Sequence, residues 1–448
     1  MLRLKYLYRL LPSGHEWNVS AILRLMRPLA PLLLRMLFPG RHGGFTFTHQ
    51  EILLPPKPAS LDLYIHLPFC RHVCVFCPYV KQLYDRDTAA AYGSALLREL
   101  QHYRDKWGDV RVRSVYFGGG TPSLTPGIVD ATLSFLADKF HLGDEVGVEV
   151  HPLDARPDVL RQLRSSGATM VSLGVQTFSD RLLTMLGRDY DSALARQACE
   201  QVLGAGFSAA DIDLIFALPG QSEDEAVEDV AIACGLGADQ ISTYPLIQFS
   251  DTSLATHLRS AGKALPSWRT ERRMLHAVVR QARDAGYERT SIWSFNRPGA
   301  PRYTTVTRDS FVGIGAGATS RMGDYFRVNS FSVNEYISAA NAGSPMALAT
   351  RMDQGDRMAY WLFWRCYDTA IDMNRFEALF GQRMPGGIRA ALQLLRVLGL
   401  AKREGNVIRL TDSGAYLFHL VEKEYTHAYL EKLWTACRRE AWPDSVRL

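Results

Sequence analysis

The stretch Tyr64-Ile65-His66-Leu67-Pro68-Phe69-Cys70-Arg71-His72-Val73-Cys74-Val75-Phe76-Cys77 decides how this chain is read. Tyr64 to Phe69 reads as a strand, and the loop after it carries three thiols. Spacings of three and then two residues let one loop wrap Cys70, Cys74 and Cys77 around three corners of an iron–sulfur cubane. Such clusters normally take four cysteines, so three with no fourth nearby leave one iron open to a ligand. The alternative is a zinc site completed by His66 or His72, although zinc sites favour paired Cys-x-x-Cys hooks.

Outward from this loop, short β-branched runs alternate with helical-period stretches. Strands are expected at 61–67, 112–117, 146–150, 170–175, 212–216 and 240–244, and helices at 89–107, 125–140, 158–166, 192–205 and 222–235. Strand then helix, repeated about six times, implies parallel strands joined by right-handed crossovers. The expected fold class is therefore α/β, a partial (β/α)6 TIM-like barrel with its chemistry on the loops after the strands. Four segments are expected: an N-terminal arm at 1–55, the barrel at 56–290, a barrel extension contacting ligand at 291–345, and a mostly helical module at 346–448. The run Val407 to Gly414 follows helices and reads as the wing of a winged-helix-like module.

Composition narrows the function classes. Apolar residues at 47% and charged residues at 22% are ordinary for a soluble globular chain. Residues 1–44 hold seven Lys or Arg against Glu16 alone, a net +6 within a total of +5, which leaves −1 for the rest. A near-neutral body does not suggest a nucleic-acid partner. The arm, interrupted by Arg24, Arg27 and Arg35, is too charged to span a bilayer; it reads either as a cap on the barrel or as a peripheral membrane contact. Seven cysteines, three crowded and Cys199, Cys234, Cys366 and Cys437 scattered, are not a disulfide framework, and a reducing, cytoplasmic setting is expected.

Further motifs fall at strand ends. Gly118-Gly119-Gly120-Thr121-Pro122-Ser123 lets the backbone pass close to a ligand. Glu149 ends an otherwise apolar strand, where a carboxylate needs a cationic or hydrogen-bonding partner. Gln176 and Asp213 put polar side chains at later strand ends, and Arg188 could meet a carboxylate bidentately.

Taken together with Leu173-Gly-Val-Gln176, Asp213-Leu-Ile-Phe-Ala-Leu-Pro219, Phe295-Asn-Arg-Pro-Gly299, Tyr303-Thr-Thr305 and Gly313-Ile-Gly-Ala-Gly-Ala318, these motifs resemble one family. It is the radical S-adenosylmethionine (SAM) family of oxygen-independent coproporphyrinogen III oxidases, haem chaperones and class C radical SAM methyltransferases. The resemblance covers residues 61–414. It implies a [4Fe-4S] cluster on Cys70, Cys74 and Cys77, whose electron splits SAM to a 5′-deoxyadenosyl radical. It implies a first SAM contacted by Tyr64, Gly119 and Glu149, and a second SAM among Phe76, Gly120, Thr121, Gln176, Arg188 and Asp213. A reductant such as flavodoxin or ferredoxin is the implied partner.

Two departures bear on the reaction. The oxidases carry another cysteine two residues after the cluster motif, where this chain has Pro78-Tyr79. The chaperones carry His-Asn and Tyr-Trp pairs where it has Tyr303-Thr-Thr-Val-Thr-Arg308. The resulting expectation is methylation or cyclopropanation of an unsaturated carbon in a small, lipophilic or tetrapyrrole substrate. Porphyrinogen decarboxylation and haem chaperoning are the alternatives.

Overall fold

The six expected strands form one continuous parallel block in the computed structural model, which describes residues 45–49 and 57–448 apart from 251, 261, 263 and 305–307. In chain order they are β1 (Ser60–Leu67), α1 (Arg86–Trp107), β2 (Arg111–Gly119), α2 (Pro126–Lys139), β3 (His141–Val150), α3 (Pro157–Ser165), β4 (Met170–Gln176), α4 (Ser192–Gly204), β5 (Ala209–Phe216), α5 (Glu223–Gly235) and β6 (Gln240–Pro245). Each strand pairs in parallel with the next. β1 is buried along most of its length, as a parallel sheet covered on both faces requires. The helices present narrow apolar stripes to the sheet: α3 buries Val159, Leu160 and Leu163 and keeps Arg161 and Gln162 outward.

The barrel stays open. After α6 (Trp268–Asp284), strand β7 (Ser294–Asn296) adds antiparallel to β6, while β8 (Val312–Ile314) adds parallel to β1 at the other side. A second, five-stranded sheet joins 319–322, 325–329 and 346–351 to Thr46–Thr48 and Ser445–Arg447. Thr46–Thr48, expected within the N-terminal arm, is thus a strand paired with the C-terminal end. Its pairing partner lies some 400 residues away, beyond any local sequence signal. Residues 1–44, with their basic amphipathic run and proposed membrane contact, lie outside the described residues. Among the described residues no helix is long and apolar enough to cross a membrane.

The C-terminal part is built from α7 (Gln354–Tyr367), β9 (Ala370–Asp372), α8 (Met373–Phe380), α9 (Gly386–Val397), β10 (Ala401–Glu404), β11 (Val407–Leu410), α10 (Asp412–Tyr425) and α11 (Glu431–Arg439). The small sheet, in the order β9-β11-β10, gives the winged-helix-like arrangement expected. The wing is the hairpin 401–410 and ends before 414: Thr411 caps α10 by accepting from Gly414 N at 3.2 Å, so the helix starts at once. Gly414 is required there, because a Cβ would stand 1.8 Å from the Leu400 carbonyl oxygen.

One buried polar network fastens this part to the barrel. Trp293 Nε1 donates to His419 Nδ1 at 3.0 Å, which leaves the proton of a neutral His419 on Nε2, directed at Glu271 of α6 at 2.6 Å. Lys423 adds two bonds to the same carboxylate at 2.8 and 2.9 Å.

Candidate active site

The thiol loop is closed at its base by main-chain bonds. Gln82 N donates to Pro68 O at 2.8 Å and Tyr84 N to Cys70 O at 2.9 Å, so residues 71–81 bulge out beyond the end of β1. Inside the bulge, Cys77 N donates to Cys74 O at 3.3 Å, and Lys81 Nζ reaches Cys77 O at 2.5 Å. Two donors face sulfur: Arg188 Nη1 lies 3.3 Å from Cys74 Sγ and the Thr121 hydroxyl 3.8 Å from Cys70 Sγ. Hydrogen bonds to sulfur of this kind tune cluster thiolates.

The histidines of the zinc alternative are engaged elsewhere. His66 meets the Tyr64 hydroxyl through Nδ1 at 3.0 Å and the Val80 carbonyl through Nε2 at 2.8 Å, and His72 pairs with Asp189 at 2.9 Å. Among the described residues no three His, Cys, Asp or Glu side chains converge on one ion. Thiols that serve separate corners of a cubane have no need to converge.

The glycine run has reasons within the protein itself. A Cβ on Gly118 would meet Glu149 Oε1 at 2.8 Å, one on Gly119 the His66 ring at 2.6 Å, and one on Gly120 the backbone of Pro68 at 2.7 Å and Cys70 Sγ at 2.9 Å. The run therefore lets β2 approach the thiol loop and Glu149 together. Glu149 accepts from the Tyr116 hydroxyl at 2.8 Å and from Gly119 N at 3.1 Å. Burial pushes its carboxyl up to about 7 despite these bonds. Tyr64 stacks on Tyr116 at 6.1 Å, and Tyr116 meets Tyr303 at 4.9 Å.

On β5, Asp211 and Asp213 are two residues apart and so share the inner face. The Ser172 hydroxyl donates to Asp213 at 2.5 Å, and Gln240 and Ser242 each donate to Asp211 at 2.8 Å. Burial pushes Asp213 up to about 6. Gln176 closes β4 with φ of 72°, a left-handed backbone unusual outside glycine. Such outliers cluster at functional sites. Arg188 is held by the Gly174 carbonyl at 2.7 Å, with its Nε left unpartnered. Phe76 packs beside an apolar cluster that includes Leu182, Leu186 and Leu254.

All twelve sequence-derived candidates line one cavity of about 650 Å³. The cavity also holds groups that the sequence had not assigned: Tyr116, Asp211 and Tyr303 from the barrel side, and Tyr360, Trp364, Glu422 and Trp434 from the helical part. Asp211 was visible as the partner of Asp213 in an alternating strand; the helical residues carried no comparable signal.

Comparison with known proteins places the chain in a family. The sequence model of the radical SAM superfamily matches residues 64–232. The haem chaperone HemW of Lactococcus lactis is 31% identical over 290 residues, 63% of this chain and 75% of the relative. The chain belongs to the radical SAM superfamily, in the family of HemW and oxygen-independent coproporphyrinogen III oxidases. As in other radical SAM proteins, a [4Fe-4S] cluster and SAM are its family cofactors. The oxygen-independent coproporphyrinogen III oxidase of Salmonella typhimurium is 28% identical over 387 residues, 81% of this chain and 84% of the oxidase. Among solved structures, coproporphyrinogen III oxidase from Escherichia coli superposes with a TM-score of 0.70 at 22% identity, covering 85% of this chain and 96% of that one, which establishes a shared fold.

Proposed function

We propose that this radical SAM protein is an enzyme acting on a tetrapyrrole. One observation carries the reading: the three thiols, the strand-end carboxyls and a ring-lined helical wall open onto a single cavity. Haem and coproporphyrinogen, named for the relatives, are both tetrapyrroles. In this reading Cys70, Cys74 and Cys77 hold the cluster, and Tyr64, Gly119 and Glu149 contact the SAM beside it. Phe76, Gly120, Thr121, Gln176, Arg188 and Asp213 receive a second SAM. A cluster held by these thiols would supply the electron for reductive carbon–sulfur cleavage of SAM, and hence a carbon radical able to take a hydrogen atom from substrate.

The residues themselves orient and balance charge. Arg188 and Thr121 offset negative charge on sulfur, while Glu149 and Asp213, fixed by neutral donors, remain available to cationic ligands. Decarboxylation of a porphyrinogen side chain is the reaction we place first: after a hydrogen atom is lost to the SAM-derived radical, the propionate would leave as carbon dioxide and the remaining electron would pass to an oxidised one-electron acceptor such as oxidised flavodoxin, giving a vinyl group. Methyl transfer or cyclopropanation draws no support from the relatives. Haem binding without turnover is the second reading, favoured by the identity with HemW.

The test is anaerobic turnover of the cluster-loaded protein with reduced flavodoxin, coproporphyrinogen III and SAM labelled at its methyl carbon. Carbon dioxide and 5′-deoxyadenosine without label in the product are expected. Labelled product would replace the reading with methyl transfer, and no turnover together with a haem Soret band would replace it with chaperoning. Cys74→Ala should lose both bound iron and 5′-deoxyadenosine formation.

A further inference from the structure

His151 directly follows β3 and lines the cavity. Its main chain is fixed by Ser123, whose hydroxyl accepts from His151 N and donates to Asp154, each at 3.1 Å. Its ring is fixed as well: Leu153 N donates to Nδ1 at 3.3 Å, and the ring meets Tyr190 edge-on at 5.3 Å. A ring nitrogen that accepts carries no proton, so a neutral His151 bears its proton on Nε2. With Nδ1 turned back to the main chain, the opposite edge and its N–H are left for the cavity. The residue is only part-buried, and among the described residues no acceptor meets Nε2. Of the other histidines on the cavity, His66 uses both ring nitrogens within the protein and His72 pairs with Asp189.

The charged groups that bear on His151 are cations: Arg188, Arg71 and His72. Burial, and then these charges, push its ring down to about 2, so it is neutral at ordinary pH. Two of the cations already hold acids, Arg71 with Asp154 and His72 with Asp189. Arg188 instead gives its donors to Cys74 Sγ at 3.3 Å and the Gly174 carbonyl at 2.7 Å. His151 and Arg188 share one neighbourhood. The guanidinium carbon stands 5.4 Å from the centroid of Tyr190, the ring that His151 meets, and the Tyr190 hydroxyl is pinned to the Gly174 and Val175 carbonyls at 3.1 and 2.9 Å. A Cβ on Gly174 would stand 3.4 Å from Arg188 Nη2 and 4.0 Å from the carbonyl oxygen of Val150, the residue before His151.

We propose that the His151 Nε2–H donates to a ligand carboxylate that Arg188 also faces, an assignment that rests on the reading of the cavity given above. A guanidinium without an acid and a neutral N–H donor beside it suit an anion with two oxygens, because each oxygen takes a donor and charge-assisted bonds are about twice as strong as neutral ones. Two ligands of that reading carry such a group: a second SAM in its methionyl part, and a porphyrinogen in its propionates. The ring's other task, accepting from Leu153 N, is separable from this one, since it uses the opposite nitrogen.

The two nitrogens can be replaced one at a time. His151→Asn keeps an acceptor near the Nδ1 position for Leu153 N and loses the outer donor. His151→Gln carries an amide N–H out to the Nε2 position and gives up the inner acceptor. The test is anaerobic equilibrium dialysis of the cluster-loaded variants against SAM, against coproporphyrinogen III at saturating SAM, and against the tetramethyl ester of that porphyrinogen, with melting temperature measured alongside. His151→Asn is expected to weaken a carboxylate ligand about tenfold or more, the scale of one hydrogen bond to a charged group, at an unchanged melting temperature, while His151→Gln stays within about threefold of wild type. A loss for SAM assigns the methionyl carboxylate; a loss for coproporphyrinogen III that is absent with the ester assigns a propionate. A greater loss in His151→Gln than in His151→Asn would show that the ring serves only the Leu153 turn and would overturn the proposal. Unchanged affinity for every ligand in His151→Asn, or a loss shared by the porphyrinogen and its ester, would also overturn it. A wild type that binds SAM but not coproporphyrinogen III would overturn the tetrapyrrole reading, and the SAM measurement would then decide the His151 site by itself.

Discussion

On the strand-end side of the cavity, polar side chains are held by neighbouring strands: Asp213 by Ser172 on β4, Glu149 by Tyr116 and Gly119 on β2, and Asp211 by Gln240 and Ser242 on β6. On the helical side, rings are held by rings. Trp364 meets Tyr367 at 5.7 Å and Tyr360 at 6.1 Å, and Trp434 stacks on Phe249 at 5.7 Å. The first arrangement is fixed by hydrogen-bond register, in which a small displacement breaks directional bonds. The second is fixed by packing, which is non-directional and yields more easily to substitution. The difference suits the proposed function, in which cofactor chemistry needs set distances and a tetrapyrrole needs shape.

Gly120→Ala attacks the rigid side and should have the largest effect. Its Cβ would stand 2.7 Å from Pro68 C and 2.8 Å from Phe69 O, main-chain atoms that cannot rotate away. Reductive SAM cleavage should fall on the order of 10²-fold, the scale of a 1 Å misplacement, with less iron retained on cluster reconstitution. Normal iron content and cleavage would mean that the thiol loop tolerates movement, and the contrast between the walls would collapse.

Glu271→Gln attacks the join between the two sides. Removing one partner of a buried charge network costs about 3–5 kcal/mol, measured by chemical denaturation at neutral pH. Burial opposes the Glu271 charge, but His419 and Lys423 outweigh it and hold the carboxyl down at about 2, against an ordinary value of 4.5. A carboxyl depressed in the folded state contributes stability that is complete above 4.5 and is lost as pH falls toward about 2. The gap between wild type and variant should therefore narrow at about pH 3. A gap independent of pH would show that Glu271 does not carry the coupling.

Trp434→Leu attacks the adaptable side and should have the smallest effect. Loss of its stack on Phe249 and its contact with Tyr79 should change stability by about 1 kcal/mol and weaken tetrapyrrole binding only a few-fold, with SAM cleavage rate as the reference measurement. A loss as large as that of Gly120→Ala would place a rigid element on the helical wall as well.

The legibility of the two sides differs for the same reason. Cys70, Gly120, Glu149 and Gln176 could be nominated from sequence because each follows or lies near the end of a strand of recognisable period, and Asp213 because it is a carboxylate inside an otherwise apolar one; parallel strands bring their carboxyl ends to one mouth. The loop spacing of Cys70, Cys74 and Cys77 is local, so no long-range contact was needed to read it. The left-handed backbone of Gln176 was not readable, since no glycine marks it. The pairing of Thr46–Thr48 with Ser445–Arg447 was hidden too, as was the protein's own need for Gly118 and Gly119 beside Glu149 and His66.

What the amino-acid order determined by itself, then, was the repeating strand and helix, the thiol loop and the row of polar residues at one edge of the sheet, because each is written in short-range spacing. Which groups complete the cavity was decided only by tertiary structure. Glu422 and Trp434 lie more than 300 residues from the thiol loop on helices whose apolar periodicity would serve any core. The Glu271, His419 and Lys423 network fastens α10 to the barrel, and bonds from Ser250 N to Glu431 and from Arg438 to the Pro78 carbonyl fasten α11.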